Sequence, residues 1–301
     1  MSLGKNKILQ QAGAAAGNGL DPIIIDIDNF DIANRTTFNP TAVGIYSGGG
    51  CQFGDNGNKF YASSEYNPSG PIYQYNTPSA YTLPANTATH TKVLQTNNNA
   101  NYMTYLPTAD KLFAINRPSE IYTQRWDLST DWDISTATLN SSQRITASTM
   151  SAKVTNGEYR LGQFVFNSDG TNLYVAYSGT STNDNKIQIH RYALSTAYDI
   201  SGVDAATADS TSGWLNINTN DAGRGQMSID PSETQILYMS ILGVLCQIDL
   251  TTFADLSTAS VTKTRSSGLG NFVGVHYYYG EGFMTTAQDG GGLYHKWEYV
   301  P

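Results

Sequence analysis

Short stretches of alternating hydrophobic and polar residues, separated by turn residues, run along most of this chain. Residues 160–166 have the pattern of a first strand, residues 167–170 that of a turn, and residues 173–177 that of a second strand. A polar stretch then leads to an alternating third strand at residues 186–192. Alternation with a period of two places one face of each strand in a core. No helical period is sustained after residue 20, so the pattern predicts an all-β protein.

One block recurs along the chain, in which Leu-Ser-Thr is followed by an aromatic residue and then by Asp-Ile-Ser. The clearest copies lie at residues 126–135 and 192–201, and weaker copies lie at residues 248–257 and 75–84. With Trp297 as a fifth equivalent position, the copies are about 50 to 65 residues apart, which is close to the period of propeller blades. The repeat therefore predicts a single β-propeller, most simply with five blades of four antiparallel strands.

The other repeats fit the same frame of strands and turns. Second strands are predicted to begin at Lys59, Lys111, Asn172, Ile236 and Gly282. First strands are predicted near residues 42–46, 101–105, 160–166, 226–229 and 272–278, and the fourth strand of the third repeat near residues 214–217. The glycine runs at residues 48–50 and 290–292 are interpreted as flexible turns, since neither opens a helix that could hold an anion.

The fifth repeat is one strand short, because Pro301 directly follows its predicted third strand. Residues 23–33 have a strand pattern that ends in another copy of the block, since residues 30–33 align with residues 132–135. We therefore predict that residues 30–38 supply the missing outer strand and close the ring. The predicted closure residues are Phe30, Asp31, Ile32, Leu293, Tyr294 and Trp297. The propeller would then comprise residues 21–301, after an N-terminal arm of residues 1–20.

The recurring block is interpreted as the corner between third and fourth strands. The large residue of each corner, namely Trp132, Tyr198 or Phe253, is expected to pack between neighbouring blades. The aspartate that follows it can accept backbone N–H bonds in the turn, and the Ser and Thr hydroxyls can cap the same turn. The block is therefore expected to have a structural role rather than a ligand-binding one.

Composition excludes several classes of function. The net charge is −8 with only 14% charged residues, and no basic stripe is present to neutralise phosphates, which argues against a nucleic-acid partner. The longest apolar runs are far shorter than the roughly 20 residues of a membrane-spanning helix, so no membrane association is expected. The N-terminus lacks the apolar region of a secretory signal, although the neutral polar composition is typical of proteins outside cells.

Candidate chemistry is sparse. The sequence contains no His-Glu-x-x-His, Gly-x-Ser-x-Gly or phosphate-loop motif, and its four histidines (His90, His190, His276 and His295) are dispersed. Cys51 and Cys246 are far apart in the sequence and are expected to be two buried thiols, although a disulfide between them cannot be judged. We predict no catalytic residue, no metal site and no cofactor.

Two groups of carboxylates leave alternatives open. Asp26, Asp28 and Asp31 could ligate calcium, but the glycine and closing glutamate of an EF-hand loop are missing, so edge-strand charge is favoured. Three loop aspartates could serve glycoside hydrolysis, yet each also fits an ordinary turn. They are Asp169, Asp230 and Asp289.

The arm has two interpretations, which are a disordered tail and a peg that orders on a partner. The weakly amphipathic stretch that would dock consists of Leu3, Lys5, Lys7, Ile8, Leu9, Gln10 and Gln11.

Residues 166–175, with the sequence FNSDGTNLYV, resemble the strand pair of YVTN-type and lactonase-like β-propellers. The recurring block resembles repeats in structural proteins of marine tailed bacteriophages, and residues 1–12 are similar to the starts of phage virion proteins. The resemblance implies a non-enzymatic structural or adhesion subunit of the particle head, neck or tail. The exposed propeller would be carried in several copies, assembled in the host cytoplasm without a signal peptide. The implied partners are other virion proteins, bound through the arm, and host-surface carbohydrate or protein. The alternatives are a lactonase or glycosidase-like propeller enzyme and a carbohydrate-binding module.

Overall fold

The computed structural model describes residues 25–31, 33–40, 48–64, 71–95, 101–116, 122–146, 159–179, 185–217, 226–240, 242–268, 272–278, 281–288 and 292–300. These residues form five antiparallel sheets, which are the five blades of a β-propeller. The predicted fold class is therefore confirmed. The predicted boundary between arm and propeller at residues 20 and 21 lies outside the described residues. No helix within the described ranges is both long and apolar enough to cross a membrane.

Four blades take their strands in sequence order. The first strand of the chain, β1 (Thr36–Phe38), belongs to the last blade. Blade 1 contains β2 (Gly48–Gly54), β3 (Lys59–Ser64), β4 (Ile72–Asn76) and β5 (Lys92–Leu94). Blade 2 contains β6 (Asn101–Thr108), β7 (Lys111–Asn116), β8 (Tyr122–Leu128) and β9 (Ala137–Ile145). Blade 3 contains β10 (Tyr159–Phe166), β11 (Asn172–Gly179), β12 (Lys186–Ala193), β13 (Ser210–Thr211) and β14 (Leu215–Asn216).

The remaining two blades complete the ring. Blade 4 contains β15 (Gln226–Ile229), β16 (Gln235–Met239), β17 (Val244–Leu250) and β18 (Ala259–Ser266). Blade 5 contains β19 (Phe272–Tyr278), β20 (Phe283–Gln288) and β21 (Leu293–Glu298), and β1 is its outer strand. The first strands pack against one another around the ring, with β2 against β6 and β19, and β15 against β10 and β19. The first strand of each blade is thus the inner one.

Burial along the strands follows from this arrangement. The second strand β11 is almost entirely buried, because both of its faces pack against neighbouring blades. The outer strand β18 alternates between half-buried and exposed residues, because one of its faces meets water. The apolar cores accordingly lie between blades. One cluster joins blades 4 and 5, with Leu237, Met239, Val275 and Trp297 among its members.

The corners are built as the recurring block predicts. The residues Asp133, Asp199 and Asp255 each accept a hydrogen bond from the backbone N–H two positions later, at 2.9, 3.0 and 3.0 Å. The aliphatic residue after each aspartate is completely buried; these residues are Ile134, Ile200 and Leu256. The corner is therefore a capped turn that buries one aliphatic side chain against the preceding blade.

The large corner residue packs between blades, as predicted, only at Trp132; the Tyr198 ring packs on Phe166 and Gly170 of its own blade, so the prediction for it is wrong. Trp132 packs on Gly54 and Tyr61 of blade 1, and the Tyr61 hydroxyl donates to the Trp132 carbonyl at 2.8 Å. The prediction for Phe253 is wrong, since its side chain is 63% exposed. In blade 4 the next residue, Ala254, occupies the corner position with φ of 52° and is 1% exposed. The block there has lost its aromatic residue, and the neighbouring phenylalanine does not replace it.

The first strand of blade 1 also differs from its prediction. It lies at Gly48–Gly54 rather than near residues 42–46, which are outside the described residues. The glycine run at residues 48–50 therefore opens a strand and is not a turn. Gly49 and Gly50 are buried on this inner strand, where glycine permits the close approach of neighbouring backbones. The other four first strands lie where they are predicted, and all five second strands do as well.

Candidate functional site at the ring closure

The ring is closed by the segment of residues 25–38, which we call the closing segment; Ile32 within it is outside the described residues. Its strand β1 pairs with β21 in antiparallel register, with Thr36 opposite Lys296, Thr37 opposite His295 and Phe38 opposite Tyr294. The predicted closure by an N-terminal strand is therefore confirmed. Phe30 forms a further isolated bridge with Tyr299.

The predicted closure residues have distinct places in this arrangement. Tyr294 and Trp297 are 0% and 1% exposed on β21, while Leu293 is half-buried at its start. Phe30 is buried beside Tyr277, at a ring-centroid distance of 5.7 Å. Asp31 accepts hydrogen bonds from the backbone and side chain of Asn34, at 3.0 and 2.8 Å. The Asn34 side-chain bond is the main reason why the pKa of Asp31 is lowered.

The corner of blade 5 lies earlier than the predicted copy at residues 30–33. A short 3₁₀ turn at Ile27–Asn29 is capped by Asp26, whose carboxylate accepts from the Asp28 N–H at 3.0 Å. Ile27 is completely buried, as are the corner aliphatic residues of blades 2, 3 and 4. The Asp-Ile pair occurs twice in this stretch, and the sequence does not show which isoleucine meets blade 4. The predicted strand over residues 23–33 is correspondingly interrupted by this turn.

Glutamine side chains of blade 4 hold the closing segment by its backbone. The Gln235 amide accepts from the Ile25 N–H at 3.0 Å and donates to the Ile25 carbonyl at 2.9 Å. The Ile27 N–H donates to the Gln247 side chain at 3.4 Å. Similar bonds join other blades to the next corner, for example from the Ile134 N–H to Gln74 at 3.0 Å. The closing segment thus uses the same inter-blade contact as the covalently continuous corners.

Two basic side chains of β18 also bind the closing segment. The Arg265 Nη1 donates to the carbonyls of Ile27, Asp28 and Phe30, at 2.8, 2.9 and 2.9 Å. The Lys263 ammonium lies 2.5 Å from the Asp26 carboxylate and 2.9 Å from that of Asp28. Asp26 and Asp28 are therefore salt-bridge partners of blade 4, consistent with the charge interpretation favoured above. The Lys263, Asp26 and Asp28 side chains all remain partly exposed to solvent, so each ion pair contributes little by itself.

Apolar burial supplies most of the attachment. Ile25 and Ile27 are 0% exposed and Phe30 is 2% exposed, in one cluster with side chains of blades 4 and 5. Burying each such side chain stabilises by about 1.5–3 kcal/mol. At its other end, Phe38 contacts Tyr75 of blade 1 and Tyr294 of blade 5, with ring centroids 5.1 and 6.1 Å apart. The closing segment therefore joins three blades.

Several residues that were considered for chemistry have structural surroundings in the described part of the chain. Cys51 and Cys246 are buried free thiols, as expected, and burial raises the pKa of each to about 12. Burial lowers the pKa of His276 to about 4. Asp230 accepts from the backbone N–H groups of Thr234 and Gln235 at 2.7 and 2.6 Å, which is an ordinary turn role. Asp289 lies outside the described residues, and within the described ranges no group of three His, Cys, Asp or Glu could hold a metal ion.

One buried acid was not anticipated from the sequence. Glu233 is 4% exposed, has φ of 51°, and accepts from the side chains of Asn167 (2.7 Å), Asn172 (3.0 Å) and Tyr174 of blade 3. Aligning the turns of blades 3 and 4 places Glu233 at the position of Gly170. A glutamate at a glycine position was the signal that could have identified it.

The seven residues of the predicted docking arm lie outside the described residues, so their role remains a prediction; they are Leu3, Lys5, Lys7, Ile8, Leu9, Gln10 and Gln11. Ile25, the first residue that the structure describes, is bound to Gln235 between blades 4 and 5.

Comparison with known proteins gives similarity in structure only. No family model and no curated protein matches the chain. The chain is similar to the β-propeller domain of Cps50 (Swd1) from Myceliophteria thermophila, with a TM-score of 0.44 and 6% identity over 89% of this chain and 99% of that one. It is also similar to a putative 6-phosphogluconolactonase from Bacteroides uniformis, with a TM-score of 0.41 and 11% identity over 80% of this chain and 64% of that one. The assignment as a five-bladed propeller rests on the sheet order, and these two likenesses carry no argument about function.

Proposed function

We propose that this chain is a non-enzymatic structural or adhesion subunit of a tailed phage particle, exposed as a propeller and docked through its N-terminal arm. The observation that carries this proposal is the attachment of the closing segment. The arm of residues 1–20 comes four residues before Ile25 in the sequence, and Ile25 is held by two hydrogen bonds with Gln235 and by burial between blades 4 and 5. A partner that binds the arm is thereby tethered to the body of the ring.

The geometry of the attachment suits a tether under load. A force on the arm acts first on the hydrogen bonds between Ile25 and Gln235. It then acts on the hydrogen bonds from Arg265 and last on the β1–β21 pairing. The load is therefore distributed over blades 4 and 5, and Phe38 extends it to blade 1. The propeller itself remains available for contact with host-surface carbohydrate or protein.

The electrostatic state of the described residues supports a role without chemistry. A nucleophilic cysteine needs a lowered pKa, whereas Cys51 and Cys246 have pKa values of about 12. A general acid among carboxylates needs a raised pKa, whereas the corner acids Asp133, Asp199 and Asp255 have pKa values lowered mainly by serine hydroxyl groups. These acids are arranged to stabilise turns.

The proposal is tested by removing residues 1–19 and measuring the incorporation of the chain into particles by mass spectrometry. We expect the shortened chain to keep its circular dichroism and thermal midpoint but to be absent from particles. As a matched control, the chain with Lys5→Ala and Lys7→Ala keeps the length of the arm and tests its charge alone. Wild-type incorporation of the shortened chain would refute docking through the arm. Hydrolysis of host polysaccharide or of lactones by the purified protein would refute the non-enzymatic role.

A further inference from the structure

The fifth corner is not joined to the third strand of its blade by the chain. In blade 2, for example, the corner lies on one continuous stretch between the end of β8 at Leu128 and the start of β9 at Ala137. In blade 5 the turn Ile27–Asn29 continues into the outer strand β1, but the third strand β21 is remote in sequence and begins at Leu293. Side-chain and backbone contacts therefore do at this corner what chain continuity does at the others.

Arg265 of β18 binds the fifth corner at three points. Its Nη1 donates to the carbonyls of Ile27, Asp28 and Phe30, at 2.8, 2.9 and 2.9 Å. Two of these carbonyls belong to the 3₁₀ turn and the third to the residue that follows it. Hydrogen bonds from a charged donor are stronger than those between neutral groups. One guanidinium nitrogen of blade 4 thus fixes the position of the whole turn.

An arginine also binds the corner of blade 3, but at one carbonyl. The Arg125 Nη1 donates to the Tyr198 carbonyl at 3.1 Å, and its Nε lies 2.8 Å from the carboxylate of Asp127 on the same strand. The chain joins this corner directly to β12 of its own blade. Loss of the Arg125 bond therefore leaves the corner of blade 3 attached, whereas the fifth corner has no such connection to β21.

Other contacts of the closing segment depend on the position of the turn. Phe30 lies in the same apolar cluster as Ile25 and Ile27. Directly after the turn, the Asp31 N–H donates to the Glu298 carbonyl at 2.9 Å. A turn that leaves Arg265 loses these contacts together, while β19, β20 and β21 stay paired with one another.

We propose that the closing segment opens as one unit while the blades stay folded, and that Arg265 is the positioning residue that keeps it closed. Opening separates the turn from blade 4 and β1 from β21. It uncovers the edge of β21, and an uncovered sheet edge can pair with another strand. Arg265 therefore protects the ring from contacts at this edge. This device is a property of the isolated chain and does not depend on any partner of the arm.

Hydrogen exchange of the full chain at pH 7 measures the opening, because an amide exchanges when its hydrogen bond is broken. The reporter amides are those of Ile25, Ile27, Asp31 and Val300, which are bonded across the closure. In the wild-type chain we expect them to share one opening free energy, lower than that of the β11–β12 ladder in blade 3.

The variant Arg265→Gln removes the charged donor and keeps a polar side chain. Each hydrogen bond from a charged donor contributes a factor of about ten or more, and three bonds from one nitrogen do not add fully. We expect the protection of the four reporter amides to fall on the order of a hundredfold, while the β11–β12 ladder stays protected. Arg265→Lys restores the positive charge without the planar donor group, and it should recover part of the protection.

The matched control is Arg125→Gln, the same substitution at the corner of blade 3. The Ile200 N–H, which donates to Gln143 at 2.8 Å, reports on that corner. We expect its protection to fall by less than about tenfold, because the chain still holds the corner.

If Arg265→Gln does not fold, the wild-type chain and Arg265→Lys still decide. Different opening free energies for the four reporter amides in the wild-type chain would overturn the proposal. So would an equal fall in the β11–β12 ladder of either Arg265 variant, since the effect would then be global. Both results leave docking through the arm unaffected.

Discussion

Blades 3 and 4 place different residues on the same backbone turn. In blade 3 the turn between first and second strands ends in Gly170, with φ of 74°, and its carbonyl accepts from the Tyr198 N–H at 2.9 Å. In blade 4 the equivalent residue is Glu233, with φ of 51°, and its carbonyl accepts from the Ala254 N–H at 3.1 Å. The hydrogen bond between turn and corner is thus preserved, although both side chains have changed.

The blade 3 pair, Gly170 and Tyr198, and the blade 4 pair, Glu233 and Ala254, fill the same space with different side chains. A Cβ on Gly170 would lie 2.3 Å from the Tyr198 ring, so the position of this ring requires a glycine at residue 170. Ala254 leaves room for the Glu233 side chain, which crosses to Asn167, Asn172 and Tyr174 of blade 3. Blade 3 therefore stabilises its corner by aromatic packing within the blade, and blade 4 by polar contacts with its neighbour.

The largest expected effect comes from breaking the blade 3 pair with Gly170→Ala. The added methyl group meets a buried ring, and the left-handed backbone disfavours a side chain, so we expect a loss of about 3 kcal/mol in the free energy of unfolding. Urea denaturation measures this loss. Adding Tyr198→Ala in the same chain imitates blade 4, and we expect the two changes together to cost less than their sum. Additive losses would show that the two residues are not coupled.

The next effect comes from the blade 4 pair. Glu233→Ala removes the acceptor of three side-chain donors of blade 3, of which Asn167 and Tyr174 are buried and Asn172 is half-buried. We expect a loss of about 2–3 kcal/mol in the free energy of unfolding. Glu233→Gly removes the same carboxylate but relieves the left-handed backbone, so it should cost about 1 kcal/mol less than Glu233→Ala. Equal losses for the two variants in urea denaturation would mean that φ of 51° carries no strain at this position.

A smaller effect is expected at the capping aspartates of the blade 3 and blade 4 corners. Asp199 accepts from Ser201 and also from Gln143 of blade 2 at 2.7 Å, and these bonds lower its pKa below 3.8. We expect Asp199→Asn to cost about 1 kcal/mol at pH 7 and to cost more than Asp255→Asn. A carboxylate with a lowered pKa stabilises the folded state above pH 3.8, and this stabilisation is lost as the pH falls below that value. The cost of Asp199→Asn should therefore shrink at pH 3. Urea denaturation at both pH values checks this; a constant cost would contradict it.

The smallest effect is expected at the displaced phenylalanine of blade 4. Phe253 is 63% exposed, so Phe253→Ser should change the free energy of unfolding by less than about 0.5 kcal/mol. The matched change Tyr198→Ser in blade 3 removes a side chain that is 9% exposed and should cost about 3 kcal/mol. Thermal midpoints of the two variants provide the comparison. A large loss at Phe253 would mean that the corner of blade 4 still relies on an aromatic residue.

Much of the scaffold was predictable because its signals are local. The turn at residues 167–170 and the alternation that follows it lie within one stretch of chain, so the strands of blade 3 could be placed from sequence. The missing strand of blade 5 was also predictable, since a sheet edge needs a partner and the N-terminal stretch offered one. The candidate site was only partly predictable, as Lys263, Arg265 and Gln235 are remote in sequence from the residues that they hold.

The amino-acid sequence by itself determined the all-β class, the positions of most strands and the closure by an N-terminal strand, because periodicity and turn chemistry act between near neighbours. Only the tertiary structure decided that Ile27 occupies the corner that meets blade 4, that residues 48–50 open a strand, and that Glu233 replaces a glycine. Each of these outcomes depends on which residues meet between blades. The Ile25–Gln235 pair spans 210 positions of chain, a distance over which local patterning carries no information.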